Sequence, residues 1–248
     1  MTRTHTYFIS DAHLGVDLEL TSREREQLLV SFLKSIKTKA KAIFLVGDIF
    51  DHWFEYRKVV PKGFVRLLGT LAELSDQGTT ITFIRGNHDM WVYDYFEKEI
   101  GIKSQRADDL YIIDQKKWYI SHGDGLDPSD KSYLLLKKIL RNSISQKLYS
   151  MIHPRIGLPL MKKSSGHSRD LEEDKVAIRH EKMKRAAMKI QQKHDFDYFI
   201  CGHLHAPLQE QQDGYTYCNL GDWVKHFTYG VWDGEAFRLK QYTPPTQS

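Results

Sequence analysis

Five short segments of the 248-residue chain carry side chains suited to holding metal ions: Asp11-x-His13, Gly47-Asp48, Gly86-Asn87-His88-Asp89, His122-Gly123-Asp124 and Gly202-His203-Leu204-His205. Each follows a short apolar run rich in β-branched and aromatic residues, which places it where a strand ends. Asp11, His13, Asp48, Asn87, His122, His203 and His205 together offer oxygen and imidazole donors without a thiolate. That set suits two divalent ions of the Mn, Fe, Zn or Co kind, Mn2+ first, better than a structural zinc. One carboxylate can hold two such ions about 3.5 to 4 Å apart, and Asp48 is the expected bridge. A metal pair activates water and neutralises charge on phosphoryl oxygens, so the expected chemistry is hydrolysis of a phosphate ester. His88 is the expected catalytic donor to a phosphoryl or leaving-group oxygen, with Asp89 orienting its ring and keeping it cationic. Asp51, Asp124 and Asp222 are expected to orient ligands or cap turns, and Trp53, Trp223, Cys201 and Cys218 to pack. A lone Asp-x-His or His-x-His is common by chance; the ordered set of five carries the reading.

Hydrophobic period supplies the elements that must position these donors. A strand over 6–10 delivers Asp11. Thr21 or Ser22 caps a helix with Glu24 in its first turn, and Leu28, Leu29, Phe32, Leu33 and Ile36 form its apolar face. A strand over 42–46 delivers Gly47-Asp48. The next helix is expected from about Pro61 to Gln77, burying Phe64, Leu67, Leu68, Leu71 and Leu74, and closed by Gly78. A strand over 80–84 then delivers Gly86-Asn87. This β-α-β-α-β order predicts an α/β fold in which ligands gather at the carboxyl ends of the strands. A hairpin over 110–114 and 118–121 leads into His122, and a strand over 198–200 leads into Gly202-His203. A strand over 215–219 and a hairpin folded about Asp233-Gly234 finish the chain.

Between the fourth and fifth segments strand signals give way to helix signals. Residues 126–195 read as a helical cap insertion over the metal site, in a core formed by 1–125 and 196–248. The formal charge of +4 is local: Lys131 through Arg169 holds nine Lys or Arg and no Asp or Glu, so the remainder is net negative. The same stretch is rich in large aliphatics, and such a basic amphipathic element suits an anionic, partly apolar ligand. Arg155, Lys162, Lys163, His167 and Arg169 are its expected substrate-binding cations. No apolar run approaches the roughly 20 residues that a membrane span needs. The N-terminus lacks a signal-peptide pattern, and only two cysteines occur, so a cytoplasmic location without a disulfide framework is expected.

As a set, the five segments resemble the calcineurin-like metallophosphoesterase superfamily from Asp11 to His205. The resemblance implies a β-sandwich of mixed sheets flanked by helices. It also implies one metal on Asp11, His13, Asp48 and His205, the other on Asp48, Asn87, His122 and His203, and His88 near the leaving group. Ser10-Asp11-Ala12-His13-Leu14-Gly15, Gly47-Asp48-Ile49-Phe50-Asp51-His52-Trp53, Gly202-His203-Leu204-His205-Ala206-Pro207 and Asn219-Leu220-Gly221-Asp222-Trp223 look more closely like the UDP-2,3-diacylglucosamine diphosphatase family of lipid A synthesis. That family also carries a basic helical cap between the fourth and fifth motifs. The likeness implies cleavage of the pyrophosphate of UDP-2,3-diacylglucosamine to UMP and 2,3-diacylglucosamine 1-phosphate (lipid X). The partner would be a UDP-linked diacyl amino sugar, met peripherally at the cytoplasmic surface of the inner membrane. One departure falls at His88, where many members of that family carry Arg and general phosphoesterases carry His. The rival enzyme reading is a general metal-dependent phosphodiesterase or nuclease of the same superfamily, its cap holding nucleic-acid phosphates. The aliphatic content of the cap argues against nucleic acid. A non-catalytic scaffold would be expected to lose donors, and none is missing.

Overall fold

The computed structural model describes residues 3–105, 108–157 and 173–244. β1 (His5–Ile9), β2 (Ala40–Val46) and β3 (Thr80–Ile84) are short apolar runs, buried along most of their length. Strands buried on both faces suit a sheet covered by a layer on either side, and these three pair in parallel. α1 (Ser22–Ile36) and α2 (Val65–Asp76) are the crossovers between them. At the start of α1 the Thr21 side chain accepts from the Glu24 amide while Glu24 reaches back to the Thr21 amide, a reciprocal cap that fixes the helix start.

The first sheet has six strands in the order β11-β10-β1-β2-β3-β4, and the second has five in the order β5-β6-β7-β9-β8. The remaining strands are β4 (Lys103–Gln105), β5 (Asp109–Ile113), β6 (Lys116–Ile120), β7 (Tyr198–Cys201), β8 (Leu208–Gln211), β9 (Thr216–Asn219), β10 (Thr228–Trp232) and β11 (Phe237–Gln241). Both sheets mix parallel and antiparallel pairs, the sandwich of mixed sheets that the resemblance implies. Phe8, Phe44, Val46 and Ile84 of the first sheet meet Trp118, Ile120, Ile200 and Cys218 of the second between the layers. α1, α2 and the short α3 (Tyr95–Glu99) cover the outer face of the first sheet.

Two features depart from the sequence expectation. α2 begins at Val65, not near Pro61, because Gly63 and Phe64 adopt left-handed φ of 106° and 58°, which no right-handed helix can include. The reversal sets the Phe64 ring 4.9 Å from Phe50 in the core, so the expected burial survives without the extra turn. The second departure concerns the insertion, which here comprises α4 (Lys131–Arg141), α5 (Ser143–Ser150) and α6 (Glu173–His194). α6 presents buried His180, Met183 and Ala187 at helical spacing, and the last two pack on Phe196, Phe199 and Tyr217 of the second sheet. That part of residues 126–195 is therefore a layer of the body. Among the described residues no helix is long and apolar enough to cross a membrane.

Candidate metal centre

The loops leaving β1 and β2 run side by side. The Asp11 amide donates to the Gly47 carbonyl at 3.1 Å, His13 to Asp48 at 3.0 Å and Leu14 to Ile49 at 3.0 Å. Asp11 and His13 are two residues apart, which in an extended strand would send their side chains to opposite faces. Left-handed backbone solves this: φ is 54° at Asp11, 44° at His13, 52° at Asp48, 69° at His203 and 55° at His205. Non-glycine residues in that region cost roughly 1 to 3 kcal/mol each and persist where the surroundings fix them, typically at functional sites. Close approach also demands glycine nearby. A Cβ at Gly86 would collide with the Asp48 carboxylate, and one at Gly202 with Ser10 and Asp11.

Two clusters hold the expected donors, Asp11 with His13 and His205, and Asp48 with His122 and His203, and a third group, Asp51 with His88, shares His13 with the first. His205 Nε2 lies 3.2 Å and His13 Nε2 3.7 Å from Asp11 Oδ1, and the two Nε2 atoms are 3.1 Å apart. His122 Nε2 lies 3.2 Å from Asp48 Oδ2 and 3.2 Å from Asn87 Oδ1. Asp48 Oδ2 is also 3.9 Å from His13 Nε2, so one carboxylate reaches both clusters. Oxygen atoms face the far side of three rings, within hydrogen-bond geometry at His122 alone. His122 Nδ1 is 3.0 Å from the Val46 carbonyl, His13 Nδ1 3.4 Å from Asp51 Oδ1, and His205 Nδ1 3.7 Å from Asp222 Oδ2. An oxygen partner on Nδ1 turns Nε2 inward, the arrangement that supports imidazole ligands. Buried Asp11 Oδ1 makes no hydrogen bond while facing two ring nitrogens. Convergent acceptor atoms of this kind fit divalent cations.

Electrostatics agree. Burial opposes ionisation of Asp48, but His122 and His88 outweigh it and hold the carboxyl well below its usual range. Asp11 is likewise buried yet held low by His205 and His13. Burial opposes charge on His13, but its Asp11 and Asp51 contacts bring it up to about 9, and Asp48 raises His122 well above normal against the same burial. Burial and the His122 charge take His203 down to about 4. Both carboxylates therefore stay ionised, and His13 and His122 would have to give up a proton to ligate a cation.

A family model for calcineurin-like phosphoesterases matches residues 4–207, a span containing every one of these donors. The chain belongs to the calcineurin-like phosphoesterase family. It is 37% identical to the UDP-2,3-diacylglucosamine hydrolase of Porphyromonas gingivalis, over 96% of this chain and 97% of that protein. The protein of the same name from Haemophilus influenzae is 28% identical, over 90% of this chain and 92% of its own. A solved archaeal phosphodiesterase aligns with a TM-score of 0.49 at 13% identity, over 95% of this chain and 98% of its own.

Within this phosphoesterase site, Asp89 lies elsewhere than expected. Its fully buried carboxylate accepts from the amides of Gly86 (2.8 Å), Ile49 (2.8 Å), Asp48 (3.2 Å) and Phe50 (3.3 Å). It stitches the β2 and β3 loops together and does not orient the His88 ring. Burial and the Asp48 charge push its carboxyl up to about 7 against those amides. His88 instead places Nδ1 3.0 Å from the Asp51 carbonyl and its ring edge-on to His13, at 4.8 Å between centroids. Its Nε2 is 3.9 Å from Asp48 Oδ2, and its amide donates to Asp48 Oδ1 at 2.8 Å. Burial pulls His88 below its ordinary value despite Asp48, so the ring is neutral near pH 7, not cationic.

Sequence reasoning missed Asn219, although Asn219-Leu220-Gly221-Asp222-Trp223 held the signal. Its side-chain amide donates to the Gly202 carbonyl at 2.5 Å and accepts from Gly221 at 3.1 Å, bracing the loop that carries His203 and His205. Asp124, two residues after His122, receives one stripe of α4: Tyr133 Oη at 3.0 Å, Lys137 Nζ at 2.7 Å and Arg141 Nη2 at 3.7 Å. On the other side Trp91 Nε1 donates to the Leu140 carbonyl at 2.9 Å, and the Tyr149 ring packs at a tilt against Phe54 and Trp91, at 4.7 and 4.8 Å between centroids. α4 and α5 thus touch the loops that follow β2, β3 and β6. Arg155 is exposed beyond α5. Lys162, Lys163, His167 and Arg169 lie outside the described residues.

Proposed function

We propose that this protein hydrolyses the pyrophosphate bond of UDP-2,3-diacylglucosamine, giving UMP and 2,3-diacylglucosamine 1-phosphate, with two divalent cations, Mn2+ by preference. The substrate rests on one observation: the near full-length match, at 37% identity, to a hydrolase named for it. Asp11, His13, Asp48 and His205 would hold one cation, and Asp48, Asn87, His122 and His203 the other. When bound, such a pair activates the attacking water and offsets charge on the phosphoryl oxygens. Asp51, the Val46 carbonyl and Asp222 keep the imidazoles aimed inward. His88 keeps its Nδ1 proton on the Asp51 carbonyl and turns Nε2 to the site, where the ring would pass a proton to a phosphoryl or leaving-group oxygen in its protonated form.

The cap would select the lipid. Leu135, Leu136, Ile139, Ile144, Leu148 and Met151 are exposed large apolar residues, with exposed Lys131, Lys138 and Lys147 among them. Apolar side chains mixed with cations suit acyl chains under anionic headgroups, which supports peripheral action at the cytoplasmic face of the inner membrane. Arg155, Lys162, Lys163, His167 and Arg169 are proposed to meet the diphosphate. The test incubates Mn-loaded protein with UDP-2,3-diacylglucosamine, bis-p-nitrophenyl phosphate and single-stranded DNA in parallel. Release of UMP far faster than the other two products is the expected result. Faster DNA cleavage would instead assign a nuclease.

A further inference from the structure

α1 has an arginine on its apolar face. Arg25 precedes Leu29 by four residues, Phe32 by seven and Ile36 by eleven, and is itself only 1% exposed. A guanidinium is permanently charged and carries five N–H donors in one plane, so burial on this scale requires a dense set of acceptors. The acceptors are main-chain carbonyls of a single loop: Ala12 (Nε, 3.3 Å), His13 (Nη2, 2.9 Å), Val16 (Nη2, 2.6 Å) and Leu20 (Nη1). This is the loop that carries Asp11 and His13 out of β1 in left-handed backbone.

The loop's own donors go elsewhere. The amides of Asp11, His13 and Leu14 all bond to carbonyls of the β2 loop. Asp11, His13 and Leu14 thus spend their N–H groups on the Asp48 segment, while four carbonyls of the loop face Arg25; the Asp11 and Leu14 carbonyls accept instead from the amides of Trp223 and Asp51. The guanidinium grips the carbonyl of the donor residue His13 itself, so it fixes the peptide plane from which that imidazole projects.

We propose that Arg25 is a positioning residue that presets the Asp11 and His13 loop for its cation before the cation arrives. The inference rests on reading the centre as a cation site. A lysine cannot replace it, because three donors on one nitrogen cannot span carbonyls arrayed around a planar fork. Loss of outer supports of this kind weakens metal affinity about 10- to 100-fold.

The test is Mn2+ titration of metal-stripped wild type and Arg25→Lys by calorimetry, with melting in chelator to confirm folding. Wild type should bind two ions, and Arg25→Lys should bind one as tightly and the other about 10- to 100-fold more weakly. Two ions of unchanged affinity in folded Arg25→Lys overturn the role of Arg25. No ion bound by wild type overturns the cation reading itself. If Arg25→Lys does not fold, hydrogen exchange of the Arg25 Nε–H in metal-stripped wild type decides: slow exchange upholds a guanidinium that grips the loop before the cation arrives, and fast exchange overturns it.

Discussion

Asp11, His13, Asp48 and His122 are at most 1% exposed, and hydrogen bonds or ion pairs hold each of them from several sides. α4 and α5, which reach Asp124 through Tyr133 and Lys137, bury no residue, and leave Leu135 61% and Ile144 67% exposed. Both regions are anchored by polar contacts, yet only the first is closed over by other described residues. Strained φ values at five donors persist because neighbouring carbonyls, amides and glycines overdetermine them. The cap pair is pinned at Asp124, Trp91 and Tyr149 along one side and presents the other as apolar surface. An apolar patch rimmed by cations marks a surface completed by a ligand or a lipid. If the cap binds the lipid as proposed, chemistry and selectivity are separable, and substitutions in the two regions should fail in different ways.

The largest effect belongs to Asp48, the carboxylate within reach of both clusters. Asp48→Asn keeps the shape, including an acceptor for the His88 amide, and removes the shared charge. Turnover should fall by more than about a thousandfold, since metal stabilisation of phosphoryl charge amounts to several kcal/mol. Steady-state rates on lipid and small diester substrates, with metal content by elemental analysis, read the outcome. Loss on both substrates with fewer ions per chain is expected. Retained activity on either would break the division between the two regions.

Much of the donor arrangement was legible because each donor type stands directly after an apolar run whose length and composition mark a strand. Edges were harder to read. β4 is Lys-Ser-Gln and β8 is Leu-Gln-Glu-Gln, polar because an edge strand faces water, so neither shows alternation or an apolar run. The late start of α2 turns on a left-handed Phe64, a conformation imposed by packing on Phe50 that no local propensity favours. Asp89 was misplaced because adjacency in sequence suggested adjacency of side chains, whereas the loop sends its carboxylate back to amides near β2. Arg25 could have been found: four residues before Leu29, it interrupts an apolar face with a charge, and a charge there needs a reason.

His88 tests the boundary between the regions, because its ring lies against His13 while its position in the chain adjoins the aromatic residues that dock α5. His88→Ala should lower kcat by roughly 10²-fold with little change in KM, the behaviour of a group that acts on a proton in the transition state. A rise in KM with constant kcat would instead move His88 to substrate recognition, on the cap's side of the division. His88→Arg provides the complementary measurement. A cation there should favour the doubly charged diphosphate over the small diester, so the ratio of kcat/KM between the two substrates should rise relative to His88→Ala.

The smallest effect is expected in the cap, and it should be selective. Leu135 and Ile139 are one helical turn apart on α4, both at least half exposed, so placing Glu at both leaves folding intact. The change removes apolar area and sets two anions where acyl chains or acidic headgroups would approach. Full burial of a leucine-sized side chain is worth about 1.5 to 3 kcal/mol, and partial burial at a lipid surface less, so the loss should be near tenfold. The measurements are KM for UDP-2,3-diacylglucosamine and co-sedimentation with anionic vesicles, against turnover of bis-p-nitrophenyl phosphate. A raised KM and weaker sedimentation with the diester unaffected would sharpen the contrast between cap and core. An equal loss on the diester would mean that α4, through Tyr133 and Lys137 on Asp124, also supports the loop of His122, so the two regions would act as one.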